Sequence, residues 1–117
     1  MLTAVIKTVH YLLRRVYVNL LVAHMMGDYF LQNNWMAMNK TSKSYICAIH
    51  CLLYTLSVAV ICQWLDWRLV VVFVSHFIMD RFRLAVYWRR FFSGDDYTPW
   101  VITADNSIHL LVLLFLN

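Results

Sequence analysis

Histidine and aspartate recur at a four-residue spacing in three separate stretches of this chain. The stretches are His24-x-x-x-Asp28, His76-x-x-x-Asp80 and, in reverse order, Asp105-x-x-x-His109. Residues four apart lie on one face of a helix, so each pair can present an imidazole and a carboxylate together. Imidazole nitrogens and carboxylate oxygens are common protein ligands of zinc, iron and manganese. The pairs therefore indicate a metal site, provided that the helices carrying them meet.

The composition indicates that these helices lie in a membrane. Of the 117 residues, 62% are hydrophobic and 14% are charged, whereas soluble domains average roughly 45–50% and about 25%. A soluble chain this short has too small an interior for so many apolar side chains. We therefore predict an integral membrane protein that forms a single domain over residues 1–117, with the lipid bilayer as its main partner.

Four apolar segments predict four transmembrane helices. Their approximate ranges are 16–31, 44–65, 69–88 and 99–117. Residues 1–15 carry apolar and basic side chains on opposite faces, which predicts an amphipathic segment in the interface or an extension of the first span. The predicted fold class is therefore all-α, a polytopic membrane protein with four transmembrane helices and an N-terminal amphipathic segment.

The histidines and aspartates of these spans are predicted to lie at one depth, because short connections make successive helices antiparallel. In each pair the aspartate is nearer one membrane surface and the histidine is one turn deeper. The reversed order of Asp105 and His109 preserves this layering in the fourth span, and a lone His50 has the same depth in the second. The fourth helix must then begin near Pro99. In the alternative, Asp105 caps a shorter half-helix.

Three charged aspartates at membrane depth need a balancing positive charge, since inserting each one costs at least about 2.5–3.5 kcal/mol. A divalent cation supplies it, as one ion with supporting partners or as two ions bridged by a carboxylate. Zinc is the favoured ion, with iron or manganese as alternatives. The predicted ligands are His24, Asp28, His50, His76, Asp80, Asp105 and His109. A proton relay or a metal-free polar network is the competing interpretation.

Such a site favours a metal-dependent hydrolase confined to one leaflet, because a bound metal ion lowers the pKa of water and an aspartate can act as the base. The candidate catalytic residues are Asp28, Asp80 and Asp105. The candidate residues for binding an anionic group, such as a lipid phosphate, are Gln32, Lys40 and Arg83. Enzymatic activity is a hypothesis at this point.

The charge pattern argues against a nucleic-acid partner. The net charge is +4, but the ten lysines and arginines flank apolar spans and form no groove-like run. These charges stand on both sides of the predicted bundle, so the side that the site faces stays open. Four short helices make a thin bundle, and a homodimer is therefore a candidate assembly.

A series of ordered motifs resembles one family of proteins. The motifs are carried by His24, Asp28, Leu31-Gln32, Trp35-Met36-Ala37, Lys40, His50, His76, Asp80, Asp105 and His109. In this order they resemble the pattern H-x3-D-x-x-L-Q, W-M-A-x-x-K, H, H-x3-D and D-Q-x-x-H of small bacterial and phage membrane proteins known as a domain of unknown function. The resemblance covers about residues 20 to 112, and Asn106 stands where the family usually has glutamine.

The resemblance implies a helical protein of the bacterial inner membrane, or of the host cell membrane if it is phage-encoded. It implies no established activity, so two further functions are alternatives to the hydrolase. One is a non-enzymatic phage or prophage membrane factor that binds a host membrane protein. The other is a divalent-cation or proton transporter, which the nearly apolar halves of the spans away from the site disfavour.

Overall fold

The computed structural model describes residues 1–117, and all of its regular structure is helical. Its six α-helices are α1 (Leu2–Met25), α2 (Asn34–Asn39), α3 (Ser44–Cys62), α4 (Arg68–Arg81), α5 (Leu84–Ser93) and α6 (Thr98–Leu116). A π-helical turn, Met26–Phe30, continues α1 without a break. The all-α prediction is confirmed.

One long helix covers both segments predicted at the N-terminus, which agrees with the alternative that residues 1–15 extend the first span. The amphipathic residues 1–15 and most of the predicted first span run continuously through α1 and the π-helical turn. The first 18 residues of α1 are exposed or half-buried, and burial begins at Leu20. Near the end of α1, the Ser57 hydroxyl of α3 donates to the Ala23 carbonyl oxygen over 2.8 Å. α1 therefore joins the bundle only through its last turns.

Two helices, α3 and α6, are long and apolar enough to cross a membrane, judged by length and composition. Each has 19 residues, which is roughly 28 Å of helix. α3 ends because Gln63 takes a left-handed conformation with φ of 56°. α6 begins at Thr98 with Pro99 in its first turn, so Asp105 lies inside the helix and does not cap a half-helix.

The other two predicted spans do not form helices of this kind. α1 is long enough, but Lys7, Arg14 and Arg15 interrupt its apolar sequence. α4 has 14 residues, roughly 21 Å of helix against a hydrocarbon core of about 30 Å. The structure thus has two helices that meet both requirements for a span, and the prediction had four.

The predicted third span is divided at Arg83. This residue takes a left-handed backbone conformation with φ of 54°, which ends the helical run after Arg81 and Phe82 and lets α5 begin at Leu84. A non-glycine residue pays a steric cost for this conformation. The connection between the first two predicted spans contains the short helix α2, whose first turn is capped because the Asn33 side chain accepts from the Met36 amide.

The buried interior has an apolar region and a polar region. The apolar cluster consists of Leu20, Ala23, Tyr54, Val58, Trp64, Val72 and Leu113. The buried histidines and aspartates are His24, Asp28, His50, His76, Asp80 and His109. Along α1 and α4 the apolar residues precede the polar ones, and along α3 and α6 they follow them. This alternation gathers the histidines and aspartates at one end of the bundle.

Candidate metal centre

Four buried side chains from three helical segments converge at that end. Asp28 comes from the π-helical turn, His50 from α3, and His76 and Asp80 from α4. The two histidine Nε2 atoms lie 3.0 Å apart. Asp28 Oδ1 lies 3.2 Å from each of them, and Asp80 Oδ2 lies 3.1 and 3.3 Å from them. Two nitrogen and two oxygen atoms therefore surround one point.

These separations are close to the edges of a tetrahedral metal site. With metal–ligand bonds of about 2.0 Å, neighbouring ligand atoms of a tetrahedron lie roughly 3.3 Å apart. The five measured edges run from 3.0 to 3.3 Å, so a slight outward shift would seat an ion. The donor set, two imidazoles and two carboxylates, is one that zinc, iron(II) and manganese accept.

Asp28 also shows that hydrogen bonding alone leaves this cluster incomplete. Its Oδ1 atom is buried and makes no hydrogen bond of acceptable geometry, although two ring nitrogens lie 3.2 Å away. Buried carboxylate oxygens are normally satisfied by donors or by a metal ion. The residues present thus fit a divalent cation.

A second group shares Asp28 with the first and adds Asp105 and His109 of α6. His109 Nδ1 lies 3.5 Å from Asp105 Oδ2 and 4.0 Å from Asp28 Oδ2. His109 Nε2 lies 3.7 Å from Asp80 Oδ1. Neither ring nitrogen of His109 makes a hydrogen bond, although the side chain is buried.

His24, which the sequence predicts as a ligand, lies beside these groups. Its Nε2 atom is 3.1 Å from Asn106 Oδ1, and its Nδ1 atom is 2.9 Å from the Tyr54 hydroxyl. The amide oxygen can only accept, so Nε2 carries the proton and Nδ1 accepts from Tyr54. Both nitrogens therefore have hydrogen-bond partners. Nδ1 also lies 3.5 Å from Asp28 Oδ2, so His24 stands at the edge of the two groups that the other six predicted ligands form.

Lys40 is engaged with the first group. Its Nζ donates to Asp80 Oδ2 over 2.6 Å, and its side chain is 16% exposed. Burial alone would lower the pKa of the ammonium group, but the Asp80 carboxylate raises it above its ordinary value. Lys40 therefore stays charged and balances the negative charge of Asp80. An anion in the cavity would share Lys40 with this carboxylate.

A cavity of about 390 Å³ opens beside the carboxylates, and all three predicted anion-binding residues line it. Gln32 donates from Nε2 to the Asp28 carbonyl oxygen over 3.1 Å, while its Oε1 is buried without a hydrogen bond. The Arg83 side chain makes no hydrogen bond or ion pair within the chain, and only its backbone carbonyl accepts, from the Val86 amide. Its guanidinium is thus the unpaired positive charge at the cavity.

Residues 16–117 match the family described as "Protein of unknown function (DUF3307)". The chain belongs to this family. The matched range contains every residue of both groups, which confirms the resemblance to a family of unknown function and extends it beyond residues 20 to 112. No curated protein matches the chain, and no solved structure does.

Three members of this DUF3307 site were missed by sequence reasoning. Tyr54 binds His24, and it follows His50 by four residues, so the same spacing could have indicated it. Asn106 accepts from His24 through its Oδ1 atom and donates to the Tyr29 hydroxyl through its Nδ2 atom. Gly27 packs so closely on Tyr54 that a Cβ there would overlap the ring.

Proposed function

We propose that this protein is a membrane-embedded, metal-dependent hydrolase that acts on a phosphate-containing or lipid-like substrate. The observation that carries the proposal is the convergence of His50, His76, Asp28 and Asp80 at near-tetrahedral separations. Two carboxylates neutralise a divalent ion, and mixed nitrogen and oxygen ligands favour zinc, with iron or manganese as alternatives.

Membrane embedding is supported by the apolar surface that the bundle leaves uncovered. α3 and α6 have the length and composition of spans, and on α6 the side chains of Leu111, Leu114 and Phe115 are exposed. Contiguous apolar surface of this kind is costly in water and favourable against lipid chains. We extend the proposal to α1 and α4, which pack on the same bundle. Arg14 and Arg15 would reach the headgroups by extending their side chains.

A phosphate-containing substrate is supported by the cavity and by α5. Arg83 offers its five N–H donors to the cavity, and guanidinium groups bind phosphate oxygens in pairs. The next helix, α5, exposes Trp88, Phe91 and Phe92, side chains that are enriched where headgroups meet the hydrocarbon. Val86 of the same helix lines the cavity. The cavity would therefore open at headgroup level.

The proposed reaction is the hydrolysis of a phosphate ester. A water oxygen bonds to phosphorus, the bond from phosphorus to the leaving alcohol oxygen breaks, and the leaving oxygen takes up a proton. The metal ion would polarise the water and the phosphate. Asp105 is the carboxylate best placed to accept the water proton, because its side chain is 28% exposed and lines the cavity. Arg83 would hold the phosphate oxygens while charge develops on them.

The test is a metal and activity measurement on detergent-purified protein. We expect at least one zinc, iron or manganese ion per chain by elemental analysis. We also expect hydrolysis of 4-nitrophenyl phosphate or of phosphatidic acid in micelles, abolished by a chelator and restored by metal. His76→Ala should lose both, and His10→Ala, an exposed histidine, should lose neither. Protein without metal above background overturns the proposal. Bound metal without hydrolysis, but with zinc flux into liposomes, would replace it with the transporter.

A further inference from the structure

We infer that the centre holds two metal ions, bridged by the Asp28 carboxylate. One ion would be held by Asp28, His50, His76 and Asp80, and the other by Asp28, Asp105 and His109. The inference rests on the proposed function and deepens it, because it assigns the two ions different tasks.

The two oxygens of Asp28 face different groups. Oδ1 lies 3.2 Å from the Nε2 atoms of His50 and His76. Oδ2 points the other way, 4.0 Å from His109 Nδ1. A carboxylate with one oxygen on each side is the usual bridge in two-metal sites, whose ions lie roughly 3.5–4 Å apart.

His109 is the second, independent sign of a ligand. The side chain is 3% exposed, and neither ring nitrogen has a hydrogen-bond partner. A buried imidazole left in this state forfeits the hydrogen bonds it would make in water. Its Nδ1 atom lies 3.5 Å from Asp105 Oδ2, so a cation between the two would satisfy both.

The geometry of the second group leaves room for further ligands. His109 Nδ1 lies 3.5 Å from Asp105 Oδ2 and 4.0 Å from Asp28 Oδ2. Both distances exceed a tetrahedral edge of roughly 3.3 Å and stay below the roughly 4.2 Å between opposite ligands of an octahedral ion. Three protein ligands leave coordination positions open, and Asp105 borders the cavity. Those positions would therefore face the cavity, where water or a substrate oxygen can fill them.

The two positions would thus differ in task. Metal sites with four protein ligands are usually structural, whereas catalytic sites keep an open position. The Asp28, His50, His76 and Asp80 site is closed and buried, so it would hold the helices together. The site at Asp105 would carry the chemistry. One oxygen of Asp105 would bind the ion, and the other would remain for the proton of the water.

The second ion would take the centre from neutral to positive. Lys40 and one divalent ion balance the three carboxylates of Asp28, Asp80 and Asp105. A second ion makes the centre net positive, and a positive site in a low-dielectric wall attracts anions. The two-ion centre therefore selects an anionic substrate group such as phosphate, from a lipid headgroup or from a soluble ester. Comparing phosphatidic acid with 4-nitrophenyl phosphate as substrates separates these two sources.

The experiment is a count of bound ions. Protein equilibrated with manganese and freed of excess should hold two ions per chain, with an exchange-coupled electron paramagnetic resonance spectrum. Asp105→Asn, at a partly exposed position, and His109→Gln should each hold one ion and give an uncoupled spectrum. His10→Ala should behave as the parent protein does.

Each count has a definite meaning. Two coupled ions that fall to one in Asp105→Asn support the inference. One ion in the parent protein, unchanged in Asp105→Asn, overturns the inference, and the hydrolysis assay then decides the proposed function separately. No ion in the parent protein overturns the proposed function itself. The manganese spectrum of the parent protein decides the question even if His109→Gln fails to fold.

Discussion

The Nε2 atoms of His50 and His76 face each other at 3.0 Å across the contact between α3 and α4. Neutral imidazoles gain little from this approach, because only one of the two nitrogens can donate to the other. The carboxylate oxygens of Asp28 and Asp80 compete for the same proton. A cation at the centre would attract all four atoms at once, so the packing of α3 on α4 should depend on bound metal.

Removing metal should therefore destabilise the fold. A ligand present at 100 times its dissociation constant adds about 2.7 kcal/mol to stability, and we expect a chelator to lower the free energy of unfolding by about 2–3 kcal/mol. Thermal unfolding in detergent, followed by circular dichroism, measures this. His76→Ala should unfold at one temperature with or without chelator, and His10→Ala should respond as the parent does. Unfolding of the parent that ignores the chelator would contradict the prediction.

Asp28→Asn should retain the fold and lose the metal. The amide is almost isosteric with the carboxylate, but it carries no charge and is a poor ligand for a divalent ion. We expect metal affinity to fall by at least about 100-fold, since even indirect partners of metal ligands contribute 10–100-fold. Membrane insertion and helical content should be unchanged. Asp66→Asn, at a residue outside the site, is the matched control. Full metal content in Asp28→Asn would show that Asp28 is not a ligand.

Lys40→Met should change metal affinity and apo-protein stability in opposite directions. The ammonium lies 2.6 Å from Asp80 Oδ2, so its loss removes a charge that repels the ion. Metal binding should tighten by roughly tenfold or more. Without metal, Asp80 loses its counter-charge, and the apo protein should become less stable by about 2 kcal/mol. Competition with a fluorescent chelator and unfolding measure the two effects. Exposed Lys43→Met should show neither, and weaker metal binding in Lys40→Met would refute the prediction.

Arg83→Gly should raise the stability of the protein and raise its KM for a phosphate ester. Glycine relieves the left-handed backbone strain at φ of 54°, which is worth about 1 kcal/mol. The same change removes the guanidinium from the cavity, so KM for a phosphate ester should rise at least about tenfold. Gln63→Gly is the matched control, because Gln63 has φ of 56° and lies away from the cavity. It should raise stability and leave KM unchanged. A KM change of equal size in both variants would count against anion binding by Arg83.

Gly27→Ala should lower both the stability and the metal affinity of the protein, although Gly27 is not a metal ligand. The added Cβ would overlap the Tyr54 ring, and overpacking of this kind typically costs about 1–3 kcal/mol. The Tyr54 ring stacks on His76, with ring centroids 3.9 Å apart, so metal affinity should fall as well. Gly94→Ala is the control, since a Cβ at Gly94 meets nothing and the cost comes only from φ of +70°. Its metal affinity should match that of the parent. Equal metal binding in all three proteins would contradict the supporting role of Tyr54.

The gathering of the site could be predicted because it depends on local spacing and on chain reversal. The four-residue period of the pairs, and the reversed order of Asp105 and His109, require only helices that alternate in direction. The structure shows the same alternation. The prediction of four spans was less successful. It treated residues 69–88 as one apolar segment, and the break at Arg83 goes against local backbone preference.

The finer arrangement of the site depends on tertiary contacts that the chain order does not reveal. The π-helical turn forms where Gly27 approaches Tyr54, a residue of another helix. Lys40 forms an ion pair with Asp80, a residue forty positions away in the chain. The sequence predicts Lys40 as an anion-binding residue and does not indicate this partner. His24 has the spacing predicted for a ligand, and that spacing does not reveal the hydrogen bonds of its two nitrogens with Tyr54 and Asn106.

The continuity of α1 with the π-helical turn couples the centre to the shape of its surroundings. Asp28 belongs to the same rod as the N-terminal half of α1, which extends beyond the packed bundle. His50 belongs to α3, which packs on α1 and on α4. In the proposed bilayer, a change in the tilt of that rod, such as a thinner bilayer would impose, would move Asp28 relative to His50. The thickness of the surrounding lipid would then alter the geometry of the proposed metal site.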